Sequence, residues 1–226
     1  MNFEVIVENL PKLLDGALLT VELVVFSSLA GLALAFPLAL ARCSPRLWLR
    51  AGPWAYIFFF RGTPLLVQLF LVYYGLSQFE AVRASVFWPI LRDAWWCALI
   101  TMALHTAAYI AEILRGAIQA VPRGEIEAAH SLGMGVWQAQ RRIVLPRAVR
   151  IALPAYSNEV ILMLKGSALA STITLLELTG AARTVIARTY MPIEIFLAAG
   201  VLYLLISFAL VQVFRLLERR LGVFAC

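Results

Sequence analysis

The sequence of 226 residues has few charged side chains and very little histidine or cysteine. Charged residues make up 14% of the chain, against about 25% in a soluble domain. The two histidines, His105 and His130, lie in neither an HExxH nor a GxSxG-type context, which argues against an intramembrane enzyme. The three cysteines, Cys43, Cys97 and Cys226, are too widely spaced for a disulfide framework or a metal site. We therefore expect no catalytic and no metal-binding residues, and a hydrogen bond within the protein for His105.

Apolar residues, in contrast, are in excess. They make up 62% of the chain, its mean hydropathy is +0.86, and a soluble domain of this length has no interior large enough to bury them all. Lipid must cover the remainder, so the composition predicts an all-α integral membrane protein. The net charge of +6 would suit nucleic acid in a soluble protein, but here the arginines lie between apolar stretches. That placement indicates membrane topology and an anionic lipid surface, and no nucleic-acid partner.

Five apolar stretches are long enough to cross a bilayer as helices. They cover about 17–41, 55–76, 94–117, 152–176 and 193–217, and they are joined without a repeat or a low-complexity linker. This pattern predicts one transmembrane domain over 1–226. The acidic start of the chain, with Glu4, Glu8 and Asp15, is unlike a signal peptide, so the first helix is expected to stay in the mature protein.

Basic residues are distributed unequally between alternate loops. One set of loops holds Arg42, Arg46, Arg50, Arg115, Arg123, Arg141, Arg142, Arg147, Arg150, Arg215, Arg219 and Arg220, and the other holds Lys12, Arg83, Arg92, Arg183 and Arg188. Because cytoplasmic loops carry the excess of arginine and lysine, this distribution predicts a periplasmic N-terminus and a cytoplasmic C-terminus in the bacterial inner membrane. Five crossings satisfy this arrangement, since an odd number must separate the two ends.

The longest basic loop, 121–150, is predicted to contain two short helices. Acidic residues favour a helix from Glu125 to Leu132, because they suit the positive end of a helix dipole, and Gly133 ends it. A second helix from Val136 is expected to stop at Ile143, since the residue before a proline disfavours helix.

This loop carries a spaced pattern: Glu127-Ala128-Ala129, three residues, Gly133, nine residues, Ile143, one residue, and Leu145-Pro146. The pattern resembles the EAA loop of ABC-transporter permease subunits at every defined position. In that family the loop forms a coupling helix that docks into a groove on a cytoplasmic ATPase, so the resemblance implies this role here. Its alanines would let the helix pack closely, and its glycine would let backbone approach backbone. The alternative is an ordinary amphipathic loop helix.

Three further segments resemble the polar amino-acid uptake branch of these permeases, of the histidine, arginine or opine type with an M-like subunit. They are Phe60-Arg61-Gly62-Thr63-Pro64, Glu112-Ile113-Leu114-Arg115-Gly116, and Asn158-Glu159 with Lys165. The resemblance implies a type I importer permease with five helices, driven by ATP and carrying amino acids, basic amino acids or opines among them. It also implies a second permease, identical or homologous, two ATPase subunits and a periplasmic solute-binding protein. Lys165-Gly166 lacks the preceding glycine-rich loop of a Walker sequence, so ATP and Mg²⁺ are expected on the ATPase and no cofactor on this chain.

Ionisable groups within apolar helices are costly and are therefore candidates for a transport path. Glu159 could receive the ammonium or the cationic side chain of an amino acid, and an ion pair with Arg61, Lys165 or a partner subunit is the equal alternative. Glu112 and Arg115, three residues apart on a helix, are predicted to pair with each other.

Neutral polar groups near these acids could complete a path for a zwitterion. The candidates are Asn158, Gln68, Ser167 and Ser171. Their alternative role is helix packing through small polar residues. The rival function, a secondary transporter or channel driven by an ion gradient, needs buried acids as ion sites and often inverted repeats. Five spans and one long basic loop fit that class poorly.

Overall fold

The computed structural model describes residues 3–222, and over that range the chain forms helices and turns without a β-strand. The α-helices are α1 (Phe3–Arg42), α2 (Leu47–Gly62), α3 (Leu65–Phe70), α4 (Glu80–Arg83), α5 (Trp88–Leu91), α6 (Ala94–Gln119), α7 (Arg123–Ser131), α8 (Val136–Ala139), α9 (Leu145–Gly166), α10 (Leu178–Thr189) and α11 (Pro192–Arg220). Wider π-helical turns cover Leu71–Gly75 and Gln140–Val144, and 3₁₀ turns cover Leu76–Gln78 and Ser167–Ile173. Cys226 lies outside the described residues.

Three of the described helices, α1, α6 and α11, are each long and apolar enough to cross a membrane. Two bent pairs meet the same criteria together: Leu47–Gly62 with Leu65–Gln78, bent by 104°, and Val136–Ile173 with Leu178–Thr189, bent by 49°. The predicted all-α membrane class is confirmed. The number of spans reaches five if each bent pair is one span, so the exact number stays a prediction.

The helices extend beyond the apolar stretches that predicted them. α1 begins at Phe3, well before the predicted start near 17, with Glu4 in its first turn where an acid suits the helix dipole. The fourth stretch was expected from about 152, but its helix begins at Leu145. Hydropathy marks what lipid can cover, whereas a helix continues wherever its backbone hydrogen bonds can be made.

The core is organised around the contact between α1 and α6. A Cβ added at Gly31 would collide with the Thr106 side chain and lie 3.2 Å from the carbonyl oxygen of Ala103 and 3.3 Å from the amide nitrogen of Ala107. Both alanines are buried. Small side chains let two helix backbones approach closely, and such packing holds helices together in lipid.

The second apolar stretch is broken between α2 and α3, where Thr63 is extended and Pro64 follows. The side-chain amide of Gln68 donates to the carbonyl oxygens of Phe60 at 3.0 Å and Thr63 at 3.1 Å, near the end of α2. The Gln68 carbonyl oxygen lies 2.9 Å from Nδ1 of His105 on α6. The predicted hydrogen bond of His105 within the protein is therefore confirmed, and it ties the break to the core.

Candidate functional site

The loop 121–150 forms a compact projection, which we call the knob, built from α7, α8 and the turn between them. Gly133 in that turn has φ +78°. Its amide donates to the carbonyl oxygen of His130 at 2.9 Å, and the next amide, of Met134, donates to that of Ala129 at 3.0 Å. These two bonds form a Schellman motif, which places a left-handed residue after the helix.

The expectation that Gly133 permits a close approach of two backbones is wrong. A Cβ added there would meet nothing within 4 Å. The position instead needs glycine because the left-handed conformation costs other residues about 1–2 kcal/mol.

The sequence predicted that the second short helix stops at Ile143, and this prediction is wrong. α8 continues through the π-helical turn Gln140–Val144 into α9, and Leu145 is helical with φ −64° and ψ −46°. Pro146 is the second residue of α9, and it directly follows a π-helical turn, in which the usual α-helical hydrogen-bond pattern is already interrupted. The knob is thereby continuous with α9.

The residues of the spaced pattern lie on two faces of the knob. Ala129 is buried, whereas Glu127 and Ala128 are exposed. Ile143 and Leu145 are half-buried and Pro146 is exposed at the start of α9.

An apolar patch that sequence reasoning missed flanks the glycine turn. Leu132, Val136 and Trp137 are 80%, 77% and 73% exposed. The signal was present in the sequence as three large apolar residues within four positions of Gly133. Apolar side chains gathered on such a projection mark an interaction surface.

The base of the knob is held against the membrane helices. Val144 and Ala148 are buried in the cluster that includes Val121 at the end of α6. A salt bridge of 3.5 Å joins Nε of Arg147 to a carboxylate oxygen of Glu125, and so links α9 to α7. A force on the knob would therefore reach α9 directly.

Glu159 on α9 is 7% exposed and lines a cavity of about 260 Å³ between α3, α6 and α9. Its Oε1 accepts a hydrogen bond of 3.4 Å from the Thr106 hydroxyl. His105 and Tyr109 lie on the facing wall, and the other lining residues are Leu65, Leu162, Met163, Gly166 and Leu169. Within residues 3–222, no salt bridge involves Glu159, Arg61 or Lys165. Arg61 is nevertheless near enough to attract the Glu159 carboxylate from beyond salt-bridge distance.

The other residues predicted for a substrate path occupy different positions. Gln68 is buried and bonded as described above, and Ser167 is fully buried with its hydroxyl donating to the carbonyl oxygen of Leu164 at 2.7 Å. Ser171 donates to the carbonyl oxygen of Ala168 at 2.8 Å and lines a separate cavity. Asn158 is exposed and outside the lining of the Glu159 cavity. For both serines and Gln68 the contacts fit the packing alternative.

The predicted pairing of Glu112 with Arg115 is confirmed, and a third member joins it. One carboxylate oxygen of Glu112 lies 2.8 Å from Nη2 of Arg115, and the other accepts a bond of 3.2 Å from Nε of Arg42. Glu112 thus ties the end of α1 to α6.

A buried acid that sequence reasoning missed is Glu177, which is fully buried ahead of α10. Its carboxylate accepts the amides of Thr179 at 3.0 Å and Gly180 at 2.9 Å, and the Tyr203 hydroxyl at 2.8 Å. It thereby caps α10 and ties it to α11. An acid preceding a threonine and a glycine at the start of a helix was the available signal.

Comparison with known proteins identifies the family. The family model described as the binding-protein-dependent transport system inner membrane component matches residues 27–223. The octopine transport system permease protein OccM of Rhizobium radiobacter is 54% identical over 206 residues, covering 91% of this chain and 84% of that protein. The histidine/lysine/arginine/ornithine transport system permease protein HisM of Escherichia coli is 44% identical over 206 residues, covering 91% and 87%.

Solved structures agree with these relatives. A chain of an amino acid ABC transporter crystallised with histidines matches with a TM-score of 0.87 and 34% identity, covering 97% of this chain and 99% of that one. An inward-facing methionine transporter, MetNI, has the same fold at a TM-score of 0.71 and 17% identity. The predicted fold of a type I ABC importer permease is confirmed. The chain belongs to the family of binding-protein-dependent transport system inner membrane components. It is a permease subunit, and a partner subunit hydrolyses the ATP.

Proposed function

We propose that this permease imports basic amino acids or opines, and that an ATPase docked on the knob drives it. The observation that carries the proposal is the continuity of the knob with α9, because α9 also carries Glu159 at the cavity. A movement imposed on the knob is thus delivered to the helix that lines the candidate path. The relatives, named for octopine and for histidine, lysine, arginine and ornithine, support the substrate class.

The docking surface consists of the exposed side of the knob. Glu127 and Ala128 present a charge and a small surface, and the patch of Leu132, Val136 and Trp137 supplies apolar area. Ala129 and Gly133 shape the helix and its turn. Ile143, Leu145 and Pro146 belong to the rigid connection that transmits the movement.

The substrate path runs past Glu159. A carboxylate that is buried, hydrogen-bonded by one hydroxyl and in no salt bridge within the described residues suits the ammonium or guanidinium group of a basic substrate. Asn158, Gln68, Ser167 and Ser171 contribute to the helices around the path. The two serines donate to backbone carbonyls, and Gln68 bonds backbone carbonyls and the side chains of Thr63 and His105.

The transporter needs further subunits besides this permease. A second permease, identical or homologous, forms the other half of the membrane unit, and two ATPase subunits bind ATP and Mg²⁺. A periplasmic solute-binding protein delivers the substrate from the side of the N-terminus. The knob and the C-terminus then lie in the cytoplasm.

Accessibility labelling tests this orientation. In a cysteine-free background, Ser131→Cys places a thiol on the knob and Val86→Cys places one on the 77–93 segment, where Val86 is 91% exposed. We expect a membrane-impermeant thiol reagent to label Val86→Cys in intact spheroplasts and Ser131→Cys only after the membrane is opened. Labelling of Ser131→Cys from outside would place the knob where no cytoplasmic ATPase could reach it.

Two substitutions at Gly133 test whether uptake depends on the left-handed conformation of the turn. Gly133→Val forces a β-branched residue into the left-handed conformation, so we expect it to destabilise the turn by about 1–2 kcal/mol and to lower coupled uptake. Gly133→Asn, which tolerates that conformation, should keep most of the uptake. Uptake per assembled complex is the measurement, and equal rates for both variants would contradict the role of the turn.

A further inference from the structure

A second cavity, of about 410 Å³, lies between the end of α1, α2 and α6, and it is lined largely by cationic and aromatic side chains. The residues on its wall are Arg42, Trp54, Phe58, Arg61, Tyr109 and Glu112, with Ile57 and Gly62. It is separate from the Glu159 cavity, although Tyr109 borders both.

The charges around this cavity do not cancel. Its one acid, Glu112, is shared by Arg42 at 3.2 Å and Arg115 at 2.8 Å, so these three groups together keep one positive charge. Arg61 adds another. Its guanidinium carbon lies 5.2 Å from the centre of the Tyr109 ring, and among residues 3–222 it makes no salt bridge. Glu159 attracts Arg61 from beyond salt-bridge distance, but the group of Arg42, Arg61, Arg115 and Glu112 still keeps a net positive charge for an anion.

The type of anion follows from the geometry of the donors and their surroundings. Arginine presents a planar fork of N–H donors that suits phosphate oxygens. Trp54 stacks on Phe58 with ring centres 5.4 Å apart, and the two side chains are 52% and 69% exposed beside the arginines. Tryptophan is enriched at the level of lipid headgroups, and basic pockets between membrane helices bind headgroup phosphates.

We propose that the cavity formed by Arg42, Arg61 and Tyr109 is a binding site for a phosphate group, supplied in the membrane by an anionic phospholipid. Its phosphate meets the two guanidinium groups while the lipid chains lie along the exposed Trp54 and Phe58. The site lies beside the α2–α3 break and at the end of α1, so an occupied site would brace α1, α2 and α6 against one another. The same donors would accept free phosphate, which is the other source of this chemistry.

The test uses the purified complex of permease and partners, delipidated and titrated in native mass spectrometry. Phosphatidylglycerol and phosphatidylcholine with the same acyl chains are compared, and inorganic phosphate is titrated separately. We expect a preference for phosphatidylglycerol that falls about fivefold in Arg61→Gln and in Arg42→Gln, as expected for one arginine near an anionic headgroup. Arg61→Lys, which keeps the charge, should retain most of the preference. Arg50→Gln, which removes an exposed arginine near the start of α2 but outside the cavity, is the matched control.

The possible outcomes distinguish a lipid phosphate from free phosphate, and both of these from failure of the proposal. Lipid selectivity that depends on Arg42 and Arg61 assigns the phosphate to the bilayer. Binding of inorganic phosphate alone, with the same dependence on both arginines, upholds the site and assigns the phosphate to solution. The proposal is overturned if neither binds selectively, or if Arg50→Gln weakens binding as much as Arg61→Gln does. Substrate uptake does not enter this measurement, so its result is independent of the proposed substrate path.

Discussion

Replacing Glu127 with lysine should abolish coupled uptake while leaving the permease folded in the membrane. Glu127 is exposed on α7 and makes no salt bridge within residues 3–222, so reversing its charge should cost the isolated chain little. At an interface the same change removes a charged hydrogen-bonding group, and losing one partner of such a pair costs about 2–5 kcal/mol. Docking of the ATPase would then weaken by at least a factor of about 30, since each 1.4 kcal/mol is tenfold.

Co-purification of the ATPase with tagged permease, and uptake into vesicles supplied with ATP, measure this loss. Glu80→Lys makes the same charge reversal on the exposed helix α4, away from the knob, and should leave both quantities unchanged. Glu127→Gln, which keeps a hydrogen-bonding side chain, should fall between the wild type and the lysine variant. Normal uptake by Glu127→Lys, with undiminished ATPase, would remove the docking role of the knob.

Much of the fold could be predicted because it depends on local properties of the chain. Lipid must cover long apolar stretches, so hydropathy located the helices, and the glycine turn divided the knob at Gly133 as expected. Helix ends were less predictable, because they depend on which backbone hydrogen bonds the rest of the protein allows. The rule that proline stops a preceding helix failed at Pro146, where a π-helical turn carries the chain onward into α9.

The candidate site was predictable only in part, because it depends on which helix faces meet. The cost of burying charge singled out Glu159, and the structure does place it in a cavity. Gln68 was singled out on its position within an apolar stretch, but its partners come from the α2–α3 break and from α6. Glu177 was missed because its importance comes from Tyr203, 26 residues further along the chain.

The largest effect on substrate recognition is expected from Glu159→Gln. The amide keeps the shape of the carboxylate and can still accept the bond from Thr106, but it carries no charge. A hydrogen bond to a charged group contributes about 1.5–3 kcal/mol, so uptake of a cationic amino acid at limiting concentration should fall by roughly 10- to 150-fold. A zwitterionic amino acid should lose less, because it presents no cationic side chain.

Uptake of a cationic and a zwitterionic amino acid, each normalised to assembled complex, makes the comparison, and basal ATP hydrolysis reports on assembly. Glu194→Gln, at the start of α11 and outside the cavity, removes an acid of the same kind and should change the uptake of neither amino acid. If Glu159→Gln lowers the uptake of both amino acids equally, the carboxylate supports the helices and does not select the substrate. If it changes the uptake of neither, the path does not pass Glu159. The proposed docking of the ATPase would still stand, because its surface is on α7 and α8 whereas Glu159 is on α9.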